Sequence, residues 1–129
     1  MVGKRTSAVP ETRSPSWRRF FAQGVQPHLP ALDFIARAIT PPGRPRRFDA
    51  RFFMADSEHI AGALDPGAAS GELLKPVWLT LAEARSADIL PITQCVLTEV
   101  EARLAPGAEA KRPAPFYIPQ RGKALVKHL

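Results

Sequence analysis

An α+β fold, with helices covering a small, mostly antiparallel or mixed sheet, is what this 129-residue sequence predicts. Three observations predict it. Residues 33–39 and 47–55 alternate side chains with the two-residue period of a strand. Further on, Ile92, Val96, Val100 and Leu104 recur every fourth residue, the spacing of one helical face. The 14 prolines, about twice average usage, cut the chain into short elements.

Residues 1–15 are polar, basic and proline-containing, and are expected to be a mobile basic segment. Ser14 or Ser16 then caps a short helix, with Pro15 tolerated at its start. Trp17, Phe20 and Phe21 share its apolar face, and Gly24 is its stop. Two prolines make residues 26–30 a break.

In the first strand, 33–39, Phe34, Ala36 and Ala38 face one side and Ile35, Arg37 and Ile39 the other. In the second, 47–55, Phe48, Ala50, Phe52 and Met54 alternate with Arg47, Asp49, Arg51 and Phe53. The short loop between them suits an antiparallel pair. A Pro/Gly/Ala-rich linker covers 56–71, and a third strand is expected over 72–79, limited by Pro76 to an edge or bulge. Thr80 caps a short helix, and Glu83, three residues on, completes a capping box. Pro91 opens the longest helix, with Cys95 and Leu97 flanking its apolar stripe. A second linker spans 105–115. Residues 116–118 and 124–128 then form a hairpin. The sheet looks small for its helices, so a strand is expected to be missing beside 33–39.

Composition narrows the function. The single cysteine, Cys95, allows no internal disulfide and reads as a small core residue. No stretch reaches the roughly 18 apolar residues of a membrane span, and no apolar run comes after the first charges, so a cytoplasmic protein is expected. Charge is uneven. Residues 1–51 carry ten Lys/Arg against three Asp/Glu, 52–110 carry three against nine, and 111–129 carry five against none. Basic ends around an acidic middle fit a phosphate-bearing partner, or a solvated surface of uneven composition.

The segment Ala36-Arg37-Ala38-Ile39-Thr40-Pro41-Pro42-Gly43-Arg44-Pro45-Arg46-Arg47-Phe48-Asp49-Ala50-Arg51-Phe52-Phe53 resembles the strand pair after the catalytic helix in one bacterial branch of the Nudix hydrolases. Glu72-Leu73-Leu74 and Trp78-Leu79-Thr80-Leu81-Ala82-Glu83-Ala84 resemble that family's next strand and short helix. Pro91-Ile92-Thr93 resembles the start of its terminal helix, and Phe116-Tyr117 with Arg121-Gly122-Lys123 its tail. The resemblance covers roughly 16–129 and implies an incomplete domain of a Nudix-type α/β/α sandwich. The complete family member would cleave a diphosphate linkage in a nucleoside diphosphate derivative, with Mg2+ or Mn2+.

The chain departs from the family at its defining motif, Gly-x5-Glu-x7-Arg-Glu-U-x-Glu-Glu-x-Gly-U, where U is a bulky aliphatic residue. That motif gathers carboxylates on one helical face to hold the metal that activates water. Here no Arg-Glu or Glu-Glu pair occurs, and the seven glutamates are scattered. Glu99 and Glu101, two apart, do not share a helical face. No catalytic residue and no metal ligand is therefore assigned, and the chain alone is expected to be inactive and to bind no metal. Met1-Val2-Gly3-Lys4-Arg5 resembles the stretch just after the box helix in that branch. Translation from an internal methionine is therefore expected, with a truncated gene as the alternative.

The candidate site is an arginine cluster: Arg44, Arg46 and Arg47 on the Pro/Gly loop, with Arg37 and Arg51 on the adjoining strands. A guanidinium fork suits bidentate phosphate binding. The competing reading pairs these arginines with Asp33, Asp49 or Asp56 across the hairpin. Phe52 and Phe53 are expected in the core, one on each face of the strand. Trp78 and Tyr117 read as packing residues more readily than as ligand platforms. His28, His59 and His128 lack metal-ligand spacing, and Glu72 reads as solvated or as reaching a metal-bound water in the full fold. No phosphate-cradling Gly-x-x-x-x-Gly-Lys loop and no Gly-x-Ser-x-Gly elbow is present.

The sequence supports three readings. The first is a partial Nudix hydrolase whose complete form takes a nucleotide-type small molecule. The second is a non-catalytic basic module that grips RNA or another phosphate-rich partner. The charge asymmetry favours it, but the aromatics are not interleaved with the basic residues as a stacking platform would be, so nucleic acid is not the expected partner. The third is a homo-oligomer, or a subunit that completes its sheet with a partner strand.

Overall fold

The computed structural model describes residues 3–5, 11–61, 77–109, 112–120 and 123–128. It is a mixed α+β fold that divides into two compact units, Met1–Leu32 with Ala55–Trp78, and Asp33–Met54 with Leu79–Leu129.

In the first unit, α1 spans Pro15–Phe21. Ser14 caps it by accepting the Trp17 N–H, and proline at the first position loses no helical hydrogen bond. Trp17, Phe20 and Phe21 meet with ring centroids 5.5–5.7 Å apart. The helix ends before Gly24, whose φ of +67° is the left-handed conformation the sequence reserved for glycine there. Two short strands were not expected. β1 (Gly3–Arg5), inside the segment read as mobile, pairs antiparallel with β2 (Val25–Pro27). A single-turn 3-10 helix lies at Leu29–Ala31, and another at Ser57–His59 opens with Asp56 accepting the Glu58 N–H at 3.0 Å.

The second unit holds the sheet. Its strands are β3 (Asp33–Ile39), β4 (Asp49–Met54), β5 (Pro115–Gln120) and β6 (Lys123–His128), ordered β4-β3-β5-β6. β3–β4 and β5–β6 are antiparallel hairpins, whereas β3 and β5 run parallel through Arg37–Phe116 and Ala38–Tyr117. The partner expected to be missing beside 33–39 is thus β5, which arrives from the far end of the chain. Proline is tolerated in β5 because Pro115 is its first residue and Pro119 lies beyond the two positions that pair with β3.

β3 does not alternate simply. Phe34 sits opposite Phe53, Ala36 opposite Phe52, and Ile35 is the extra residue of a bulge. The bulge exchanges the faces expected for two side chains. Ile35, 2% exposed, turns inward beside Ala36, while Phe34 turns outward to meet the Phe53 ring at 5.6 Å. β4 alternates as expected from Ala50 through Phe52 to Met54 on the inner face. It begins two residues later than expected, however. Phe48 lies outside the strand and is exposed, and Phe53 is 52% exposed instead of buried.

Helix α2 (Leu81–Ser86) carries the predicted capping box. Thr80 Oγ1 accepts the Glu83 N–H, and the Glu83 carboxylate accepts the Thr80 N–H at 2.7 Å. Helix α3 (Pro91–Leu104) lays Val96 and Val100 against Ile35, Ala36, Phe52, Met54 and Tyr117, which form the core. Leu104, the last residue of the expected stripe, is exposed. Arg85 joins the two helices, its Nε donating to Glu101 Oε1 at 2.6 Å and its Nη2 to Thr98 at 3.1 Å.

The strand expected over 72–79 falls mostly outside the described residues. Its described end, 77–79, is in no strand, and Trp78 is 70% exposed instead of packed. Among the described residues no helix is long and apolar enough to cross a membrane.

Two substitutions test this packing by urea denaturation. Ile35→Ala empties the most buried large side chain and should cost roughly 2–5 kcal/mol. Thr80→Ala removes one helix cap and should cost about 1 kcal/mol. An Ile35→Ala loss no larger than the Thr80→Ala loss contradicts the bulge's role in the core.

Candidate functional site

The site is built on the β3–β4 hairpin. Its loop, residues 40–48, is closed at the neck by two hydrogen bonds between the same residues. The Thr40 N–H donates to the Phe48 carbonyl at 2.9 Å, and the Phe48 N–H donates to Thr40 Oγ1 at 2.9 Å. Pro41 and Pro42 restrict the backbone on one side, and Gly43 turns it with φ +86°. The result is a tied loop with exposed Arg44, Arg46 and Arg47. Arg47 Nε donates to the Thr40 carbonyl at 3.1 Å, which anchors that side chain to the neck. Arg44 and Arg46 hydrogen-bond to nothing among the described residues.

The two strand arginines differ. Arg37 grips Asp49 with both arms of its fork, Nε to Oδ1 at 2.8 Å and Nη2 to Oδ2 at 2.6 Å. Its guanidinium carbon also lies 4.5 Å from the centre of the Phe116 ring, a cation–π contact. The hydrogen bond to Arg37 holds the Asp49 carboxyl below the ordinary aspartate range, and Asp49 in turn raises the Arg37 pKa. Arg51, directly opposite Arg37, is 58% exposed and only 4.0 Å from Asp49 at its nearest. The members of the cluster therefore divide. Arg37 is committed to a cross-strand carboxylate, as the pairing reading expects. Arg44, Arg46, Arg47 and Arg51 keep guanidinium groups open to an anion.

Two arrangements were not expected from the sequence. Glu99, one of the scattered glutamates, is buried at 7%. Arg112 Nε donates to its Oε1 at 3.1 Å. Arg103 Nε lies 2.9 Å from the same oxygen as an ion pair but is not aligned to hydrogen-bond it. Arg103 Nη2 instead donates to the Arg112 carbonyl at 2.8 Å, tying α3 to the segment before β5. The i,i+4 spacing of Glu99 and Arg103 was visible; the approach of Arg112 was not. Close by, burial raises the Tyr117 pKa, with smaller contributions from Cys95 and Glu99. The second arrangement is a histidine pair. His28 and His59, read as isolated, bring their rings to 5.5 Å, and His59 Nε2 lies 3.6 Å from Glu58. Glu72 lies outside the described residues, as does the side chain of His128.

A depressed carboxylate contributes stability that is present above its unfolded pKa and is lost as pH falls through its folded pKa. Asp49 and Glu101, the latter lowered by its hydrogen bond from Arg85, both belong to this class. Acid should therefore loosen the hairpin and the α2–α3 junction below the ordinary carboxylate range. Carbon-detected NMR titration reads this directly, and an Asp49 carboxyl titrating at or above the ordinary range contradicts the bidentate pair.

No protein-family model matches the chain, and neither a curated protein nor a solved structure matches it.

Proposed function

We infer that residues 16–129 are the C-terminal part of a Nudix-type α/β/α sandwich, whose complete form hydrolyses the diphosphate linkage of a nucleoside diphosphate derivative. The observation that carries this reading is the tied hairpin loop with its exposed Arg44, Arg46 and Arg47, in the segment where the family resemblance is most distinctive. Arg51 adds a fourth open guanidinium on the adjoining strand. In this reading these four hold substrate phosphates, and Arg37 acts indirectly by fixing Asp49 and the strand register.

Among the described residues no group of three His, Cys, Asp or Glu side chains could hold a metal ion. No chemical step is assigned through a divalent cation. The magnesium or manganese of the complete domain belongs, in this proposal, to the glutamate box that the sequence lacks. The isolated chain is an inactive, phosphate-contacting piece.

Two measurements test this. With ADP-ribose or a UDP-sugar and either cation, residues 1–129 should release product no faster than a protein-free blank. A clear rate that disappears in Arg47→Ala contradicts the proposed inactivity. Calorimetry with ADP should show binding that weakens on the order of 10-fold for Arg44→Ala or Arg51→Ala. ADP binding indifferent to both substitutions contradicts the phosphate role.

A further inference from the structure

The sheet has two unlike faces. One packs on α3. The other gathers Arg51 and Phe53 from β4, Phe34 and Arg37 from β3, and Phe116 from β5, with Asp49 as its single acid on the paired part of the hairpin. Along the sequence these aromatic and basic residues come from three separate segments, 34–37, 51–53 and 116. The bulge at Ile35 and the parallel docking of β5 bring them onto one surface.

Their chemistry is that of a stacking surface. Phe53 presents an exposed ring, with the Phe34 ring beside it across the hairpin at 5.6 Å. Arg37 lies over Phe116, and its bidentate hold on Asp49 fixes the plane of its guanidinium. That offers a second flat group a short distance along the sheet. The Asp49 charge is already met by Arg37, so Arg51 is left in excess, and the loop at the end of the hairpin adds Arg44, Arg46 and Arg47. An aromatic ring beside a fixed guanidinium plane, both flanked by open arginines, matches unstacked bases on a polyanionic backbone. A duplex hides its base faces and would use only the charges.

We propose that this face binds single-stranded nucleic acid, with Phe53 and the Arg37–Phe116 stack receiving bases and Arg51 with the loop arginines following the phosphates. The proposal shares Arg44, Arg46, Arg47 and Arg51 with the phosphate role proposed above, whereas Phe53 and the Arg37–Phe116 stack belong to it alone, so Phe53→Ala tests it separately from that role.

The test uses the full chain and fluorescence anisotropy with a labelled single-stranded oligouridylate, a duplex RNA of equal length and anionic lipid vesicles. The single strand should bind best, and binding should weaken as salt rises. Phe53→Ala should weaken it roughly 5- to 150-fold, the range for loss of one stacked base. Phe53→Tyr should restore it, and circular dichroism should show both variants folded, since Phe53 points away from the core. Equal affinity for duplex and single strand with no effect of Phe53→Ala would reduce the surface to unspecific charge and overturn the proposal. So would preference for vesicles, or no binding of the single strand at low salt.

Discussion

Strand β3 is confined on three sides, by β4 along one edge, by β5 along the other and by α3 across one face. Everything else in its unit is placed relative to it. The confinement leaves its inner face room only for side chains that let α3 approach, and Ala36 and Ala38 meet that demand at 0% and 7% exposure. Small residues alone would bury little apolar surface. The bulge resolves the conflict by turning Ile35 inward next to Ala36, where it meets Val96. The same extra residue sends Phe34 outward. One local irregularity thus supplies the largest fully buried side chain and also sets the composition of the opposite face.

Charge pairs then pin the junctions that hydrophobic packing leaves loose. Arg37–Asp49 spans the hairpin, Arg85–Glu101 joins α2 to α3, and Glu99 with Arg103 and Arg112 ties α3 to the approach to β5. They do not weigh equally. The first two are partly open to water, where screening keeps such pairs to a modest contribution and geometry is their main effect. Glu99 is buried, so losing its arginines would strand a charge away from water, which is far more costly. The Glu99 cluster therefore secures the chain reversal that delivers β5 beside β3, and with it Phe116 beneath Arg37.

Local signals were legible in the sequence and long-range ones were not. Ser14 and Pro15, the Thr80–Glu83 box and Pro91 mark helix starts through contacts within a few residues, and all three helices begin where those marks stand. The β3–β4 hairpin was readable from alternation and its short loop, and a terminal pairing was expected over 116–118 and 124–128, inside the longer β5–β6 hairpin. The bulge escaped because Phe34 and Ile35 are both apolar, so either can face inward without breaking the pattern. The parallel β3–β5 contact joins segments nearly eighty residues apart, and β1 is only three residues long. At the site, the residue types were readable but their division was not. Which arginine would take Asp49 depended on the cross-strand register that runs from Ala36–Phe52 to Ile39–Asp49. The exposure of Phe53 likewise depended on which face α3 covers.

Strand β3 is the element that organises its unit. Native-state hydrogen exchange measures this most directly, because amides that open only with global unfolding exchange last. The slowest amides should lie in β3 and the facing part of α3, around Ile35, Ala36 and Val96, with β6 and the 40–48 loop exchanging faster. Fast exchange through β3, with protection concentrated instead in the β5–β6 hairpin, would contradict it.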